Sequence, residues 1–384
     1  MKKKKVLIFI AHYLPGYKIG GPLNSVIHIV DHLSFKFEFY IVTSDRDLGD
    51  DAPYENITRN QWVDVRGTKV LYIRHGAWGF RDILNAINSD NFDSIYLNSY
   101  FQAKFSIFIV ILRYLKLITV HQLILAPRGE FYTEALGFKK TKKFLYLQLT
   151  KVLKIYDNVV WHSTNTSESE EIRKLFSASA SIREARVLSD TVNKVESTSG
   201  PVFEFGENTL KLIFLSRISK DKNILFIFDV LVKIRRPLEF HIYGPIEDAD
   251  IWSECLMRMN EMPDNIRVKY NGPVDREHVK AILSQYDVFF LPTHRENFGH
   301  VISESLSVGT PVLISSNTPW RNLLADRLGW DLDLANEGDF VEVIECYAEL
   351  SNEFRMFKRN QVIEGFNKRY NVSDTIDENI DLFS

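Results

Sequence analysis

The 384-residue sequence predicts an α/β protein of two doubly wound domains, and three observations lead there. Short β-rich apolar runs alternate with longer amphipathic stretches, as expected of parallel strands covered by helices on both faces. The alternation fails once, over residues 189–209, where Ser189-Asp190-Thr191-Val192-Asn193 and Glu196-Ser197-Thr198-Ser199-Gly200-Pro201 read as a linker. The length exceeds one ordinary core and suits two of comparable size. These bounds place one domain at 1–190, a second at 205–355, and a helical segment at 356–384 packing across the pair.

The first domain opens on four lysines and an apolar run, residues 6–11. That run is short and leads into His12, Tyr13 and Pro15 without a small-residue cleavage site, so it predicts a first strand rather than a signal peptide. A helix follows at 23–33, with Val26, Ile27, Val30 and Leu33 at helical spacing. Further strands are predicted at 37–43, 70–73, 94–98, 123–126 and 159–163. The apolar stretch 105–120 is broken by Arg113 and Lys116 and falls short of the ~20 residues a membrane span needs, so no transmembrane helix is predicted. The second domain restarts with strand 210–215, helix 224–234, and strands 238–243, 266–270, 288–291 and 312–315. Two helical patterns, 339–350 and 353–367, have no strands of their own.

Composition narrows the class. The net charge of -3 argues against nucleic acid as a dedicated partner. Two cysteines, Cys255 and Cys346, with no CxxC or Cys/His cluster, exclude a disulfide framework and a zinc site and point to a reducing, cytoplasmic setting.

The chemistry concentrates in residues 287–312, which read as strand, polar loop, helix, glycine stop and strand. Pro292 ends the strand, and Gly299 lets the backbone approach a ligand closely. A helix beginning near His300 offers free N–H groups and a positive dipole end, which suit an anionic diphosphate. Glu296 lies at the strand's carboxyl end, where open α/β sheets bind ligands. Glu304, one turn inside the helix, can accept hydrogen bonds from hydroxyls, and Gly309 closes the helix.

Glu296-Asn297-Phe298-Gly299, then Glu304, then Gly309-Thr310-Pro311-Val312 resemble the signature of family 4 glycosyltransferases, which are two-domain GT-B enzymes. The resemblance implies two Rossmann-like domains facing each other across a cleft. It implies that Glu296 faces the donor sugar, that Glu304 binds the nucleotide ribose, and that Asn297, Phe298, Gly299, His300 and Val301 cradle sugar and diphosphate. A second match, residues 214–223, implies that Arg217 and Lys222 reach the diphosphate, whose growing negative charge fixed cations stabilise. Asn223 stands where the family usually has glycine. Gly272-Pro273-Val274 and Gly244 are similar to the family's turns beside the nucleobase.

The first strand leads to Gly20-Gly21, which is not GxGxxG, so a nicotinamide or flavin site is unsupported. The resemblance implies that these glycines approach the donor; a plain tight turn is the other reading. Pro127-Arg128-Gly129 is similar to a segment of a bacterial surface-polysaccharide subset, where many family members instead place a His. Arg128 is therefore an acceptor-side candidate, with a structural salt bridge as the alternative. Thr318-Pro319-Trp320 and Gly329-Trp330 extend the subset resemblance.

The implied activity is a retaining transfer from a UDP- or GDP-linked sugar to a glycan or polyprenyl-diphosphate-linked acceptor, for O-antigen, capsule or exopolysaccharide. No metal or other cofactor is expected, since no Asp-x-Asp motif suggests a metal site, and Glu296, Arg217 and Lys222 are the catalytic candidates. Two alternatives are a nucleotide-sugar epimerase on the same frame and a non-catalytic nucleotide-sugar-binding scaffold. Lys139, Lys140, Lys142 and Lys143, with apolar residues 101–117, suit peripheral contact with the inner face of the cell membrane; a solvated basic face and a packed helix is the other reading.

Overall fold

The computed structural model describes residues 2–132, 140–176, 180–188, 209–370 and 372–384. It divides into two compact units, Met1–Leu188 with Val372–Ser384, and Ser189–Asn371.

The first unit carries an eight-stranded sheet of β1 (Lys4–Phe9), β2 (Phe37–Ser44), β3 (Trp62–Val65), β4 (Thr68–Ile73), β5 (Ser94–Asn98), β6 (Gln122–Ala126), β7 (Val160–Ser163) and β8 (Ser181–Glu184), in the order β3-β4-β2-β1-β5-β6-β7-β8. All neighbours are parallel except β3 and β4, a hairpin closed by Arg66 and Gly67 at φ 54° and 80°. Its helices are α1 (Gly21–Leu33), α2 (Trp78–Ile87), α3 (Phe108–Tyr114, entered through a π-helical turn Ala103–Ile107), α4 (Lys140–Val152) and α5 (Thr166–Phe176). α1 buries Leu23, Val26, Ile27, Val30 and Leu33 against Val6, Ile8 and Ile41 of the sheet.

The second unit carries a six-stranded sheet, all parallel, of β9 (Leu210–Leu215), β10 (Leu238–Tyr243), β11 (Ile266–Tyr270), β12 (Val288–Leu291), β13 (Val312–Ser315) and β14 (Gly329–Leu332). Their order is β11-β10-β9-β12-β13-β14. The helices are α6 (Ile224–Leu231), α7 (Ala249–Asn260), α8 (Arg276–Leu283), α9 (His300–Ser307), α10 (Glu337–Ala348) and α11 (Asn352–Arg369). The central strands β9, β10, β12 and β13 are largely buried and rich in apolar residues because both faces are covered. Strand order reverses between β9 and β12 here and between β1 and β5 in the first unit. Such reversals open a crevice at the carboxyl ends of the strands.

The closing helical segment divides between the units. α11 belongs to the second, whereas α12 (Val372–Phe383) belongs to the first, with Phe383 against Phe37, Phe39 and Tyr96 and Arg186 paired to Glu378 at 2.8 Å. The expected linker, up to residue 208, and Lys139 lie outside the described residues. Among the described residues no helix is long and apolar enough to cross a membrane.

Candidate active site

The second unit builds its site at the β9/β12 reversal. Beyond β9 the chain stays pinned to the neighbouring strand, with Ser216 N–H donating to the Tyr243 carbonyl (3.1 Å) and Ile218 N–H to that of Pro245 (2.9 Å). Gly244 makes this approach possible. Its φ is 135°, and a Cβ there would lie 1.9 Å from the Ser216 carbonyl oxygen. Gly244 N–H donates to the Gly272 carbonyl, so the turn carrying Gly272, Pro273 and Val274 follows β11 on the same edge.

Lys222 ends a 3-10 turn, Lys220–Lys222, and Asn223 follows at φ 56°, ψ 39°. Asparagine is among the few residues that tolerate this left-handed conformation, which accounts for its standing where glycine is usual. The Asp221 carbonyl accepts from His294 N–H at 2.8 Å and lies 2.9 Å from the Thr293 hydroxyl, clamping the turn after β9 to the loop after β12. The clamp brings Lys222 Nζ to 2.8 Å from Glu296 Oε2, with 10% and 19% of the two side chains exposed. The pair joins the two sequence segments across the reversal.

The loop that carries Glu296 is held from behind. Glu296 N–H donates to the Asn317 carbonyl (3.3 Å), and Trp320 Nε1–H donates to that of Phe298 (2.5 Å). Trp320 is itself buried and lies against Phe366 and Tyr370, which also stack on each other. Gly299, at φ 80°, turns the chain into α9; a Cβ there would sit 2.7 Å from Ile302 Cδ1 and 3.0 Å from Glu296 Cγ. α9 begins at His300 and Val301 without a side-chain cap, and the first N–H groups of a helix have no intrahelical acceptor. Glu304 lies half-buried one turn on. Gly309 follows the helix at φ 81°, against the Arg359 carbonyl.

Arg217 pairs with Glu247, Nη1 to Oε2 at 2.5 Å. The spacing of Glu247 in the sequence does not reveal this role, because the contact depends on the bridge between Ile218 and Ile246. Each candidate diphosphate cation therefore has a carboxylate beside it.

Gly20, Gly21 and Arg128 belong to the first unit. Gly20 adopts φ 61°, ψ -118° before α1, and Gly21 is the first helical residue. Asp47 holds the preceding loop, its Oδ2 accepting from Tyr17 N–H (2.8 Å) and Lys18 N–H (3.1 Å). Arg128 has φ 55° and donates through Nε to Asn98 Oδ1 (2.8 Å) and through Nη2 to the Tyr96 hydroxyl (2.7 Å). The Tyr96 hydroxyl lies 2.8 Å from His162 Nδ1, and His162 Nε2 lies 3.0 Å from the Ala185 carbonyl. Burial, with the Arg128 charge adding, lowers the His162 pKa to about 3, so the ring is neutral at pH 7. The ring then donates to Ala185 and accepts from Tyr96, which leaves the tyrosine oxygen to accept from Arg128. Next to it, the Glu130 carboxylate takes Ser99 Oγ–H and the Tyr100 and Phe101 N–H groups. The Pro-Arg-Gly-Glu segment thus ties the carboxyl ends of β5, β6 and β7 together.

Residues 198–361 match the family model of the glycosyl transferases group 1. The chain is 22% identical over 312 residues to an uncharacterized 41.2 kDa protein in the cps region of Klebsiella pneumoniae, covering 79% of this chain and 82% of that one. It is 37% identical over 65 residues to the O-antigen biosynthesis glycosyltransferase WclY of Escherichia coli, 17% of this chain and 18% of WclY. Among solved structures, Anabaena Alr3699/HepE in complex with UDP and glucose superposes with a TM-score of 0.70 at 13% identity, covering 99% of each chain. The fold is that of GT-B glycosyltransferases, and the group 1 match together with the glycosyltransferase relatives makes this chain a glycosyltransferase.

Proposed function

We propose that this glycosyltransferase moves a sugar, with retention of anomeric configuration, from a UDP- or GDP-linked donor to a glycan or polyprenyl-diphosphate-linked acceptor of bacterial surface polysaccharide. The observation that carries this reading is the Lys222–Glu296 pair, set at the β9/β12 reversal beside the start of α9. The neighbour solved with UDP and glucose supports the donor class, and the cps-region and O-antigen relatives support the polysaccharide.

In this reaction an acceptor hydroxyl oxygen bonds to the anomeric carbon as the bond from that carbon to the β-phosphate oxygen breaks. The hydroxyl proton passes to the departing phosphate oxygen. Negative charge grows on the leaving diphosphate, and Arg217, Lys222 and the α9 N–H groups stabilise it without an added metal. Glu296, oriented by Lys222, positions the sugar and supports positive charge at the anomeric carbon. Glu304 accepts from the ribose hydroxyls, the backbone of residues 297–301 lies along sugar and diphosphate, and Gly244 with residues 272–274 borders the base. In the first unit, Arg128 is the acceptor-side residue. A polyprenyl-linked acceptor would bring the enzyme to the inner face of the cell membrane.

The test incubates the protein with UDP- and GDP-sugars and alkyl glycoside acceptors in EDTA, measuring nucleoside diphosphate release and the product anomer by NMR. The reading predicts release from one donor, a product of the donor's anomeric configuration, and loss of release in Glu296→Gln. An inverted product would overturn retention. Tight nucleotide binding without release from any donor would favour a binding scaffold.

A further inference from the structure

Two segments of the first unit expose apolar side chains of the kind that packed helices bury. On α4, Leu147 and Thr150 are buried, yet Phe144, Leu145, Leu149 and Val152 are exposed, Leu145 by 69% and Val152 by 78%. Leu145, Leu149 and Val152 recur at helical spacing, so the outward side of α4 is itself an apolar stripe. At α3, Ile109, Val110 and Leu112 are buried while Leu115 and Leu117, just beyond it, stand exposed. α3 joins β5 to β6 and α4 joins β6 to β7. Successive right-handed crossovers in one direction put both helices on the same face of the sheet. Ile109, Leu112 and Leu147 accordingly share one core.

The charge on this face has one sign. Residues 94–129 and 135–156 contain no Asp or Glu, whereas Arg113, Lys116, Lys142, Lys143, Lys151 and Lys154 fall among the exposed apolar positions. The half-buried Arg113 guanidinium has no hydrogen-bond or ion-pair partner among the described residues. Apolar stripe and cations together match an interfacial helix rather than a spanning one. A second copy of the same face would oppose like charges, whereas lipid phosphates would complement them.

We propose that the outer face of α3 and α4 docks on an anionic lipid bilayer, with Leu145, Leu149 and Val152 entering the headgroup region and the lysines meeting lipid phosphates. The inference stands on these two segments and is independent of the donor site. Flotation of the full chain with phosphatidylcholine vesicles, with or without roughly one third phosphatidylglycerol, tests it. Binding is expected only with phosphatidylglycerol, weakening as salt rises. The variant Leu145→Asp/Leu149→Asp should lose roughly tenfold or more in vesicle binding while keeping the thermal melting curve of the parent protein. Unchanged vesicle binding by that variant, or no binding of the parent protein to either vesicle, overturns the proposal. So does a parent dimer that this variant converts to monomer while vesicles stay unbound, which would make a second copy the occupant.

Discussion

Replacing Lys222 with Met removes the cation of the central ion pair while keeping most of its volume. The pair is 2.8 Å long, and Glu296 retains 19% of its side-chain exposure. Breaking a fully buried pair costs about 3–5 kcal/mol; water reaching Glu296 reduces this to about 1–2 kcal/mol. In a unit of this size that lowers Tm by about 2–8 °C. The catalytic loss should be larger, because a fixed charge facing developing charge is worth about 10²–10³ in kcat. The variant should therefore stay folded at 25 °C and release nucleoside diphosphate about 10²–10³ times more slowly, with Lys222→Arg recovering part of the rate. Because the two residues touch, Lys222→Met and Glu296→Gln should combine less than additively. A folded Lys222→Met enzyme whose kcat stays within about threefold of the parent would refute the reasoning.

Other expectations follow from the same geometry. His162, lowered from 6.5 to about 3, is neutral in the fold but protonates in the unfolded chain. Stability present above about pH 6.5 should thus be lost as pH falls toward 3, by at most about 1.4 kcal/mol per pH unit, and His162→Gln should flatten that slope in urea melts. Gly244→Ala drives a Cβ onto the Ser216 carbonyl and should cost about 3 kcal/mol or more by urea denaturation. Gly272→Ala, also at positive φ but with nothing within 4 Å of its Cβ, should cost only about 1–2 kcal/mol. Trp320→Phe keeps a ring but leaves the Phe298 carbonyl without its donor, and calorimetry should show nucleotide affinity about fivefold weaker.

The central strands were legible because burial leaves short, apolar-rich runs, unbroken in β12 and interrupted by single polar residues in β9, β10 and β11; β9, β10, β11, β12 and β13 begin and end where the pattern does. β3, β8 and β14 escaped the same criterion. They are four-residue strands at or near sheet edges, partly exposed, and Ser181-Ile182-Arg183-Glu184 or Gly329-Trp330-Asp331-Leu332 shows no apolar run. β14 also starts on a glycine that packs its backbone against Val312. The split of the last segment between units depends on the packing of Leu382 and Phe383, which local periodicity does not report.

At the site, the positions of Glu296 and Gly299 after β12 were legible from the strand-loop-helix pattern, whereas Lys222 was singled out by the resemblance alone. Their supports were not legible. Glu247 meets Arg217 through a bridge between strand extensions, and Asp47 holds the glycine loop from 26 positions beyond Gly21, as counted along the chain. Arg128 donates to Asn98 and Tyr96, both on the neighbouring strand β5 and neither of them the carboxylate that a salt bridge would need. That neighbourhood is set by strand order, which sequence spacing does not encode.

The most direct measurement is thermal unfolding with UDP, GDP, ADP and CMP, without added metal, for the parent protein and for Glu304→Ala. At about 100 times its dissociation constant, a bound nucleotide adds about 2.7 kcal/mol, a shift of several degrees. The donor-site assignment predicts that UDP or GDP gives this shift and that Glu304→Ala reduces it. No shift with any nucleotide, or an undiminished shift in Glu304→Ala, would contradict the placement of the nucleotide at the β9/β12 crevice.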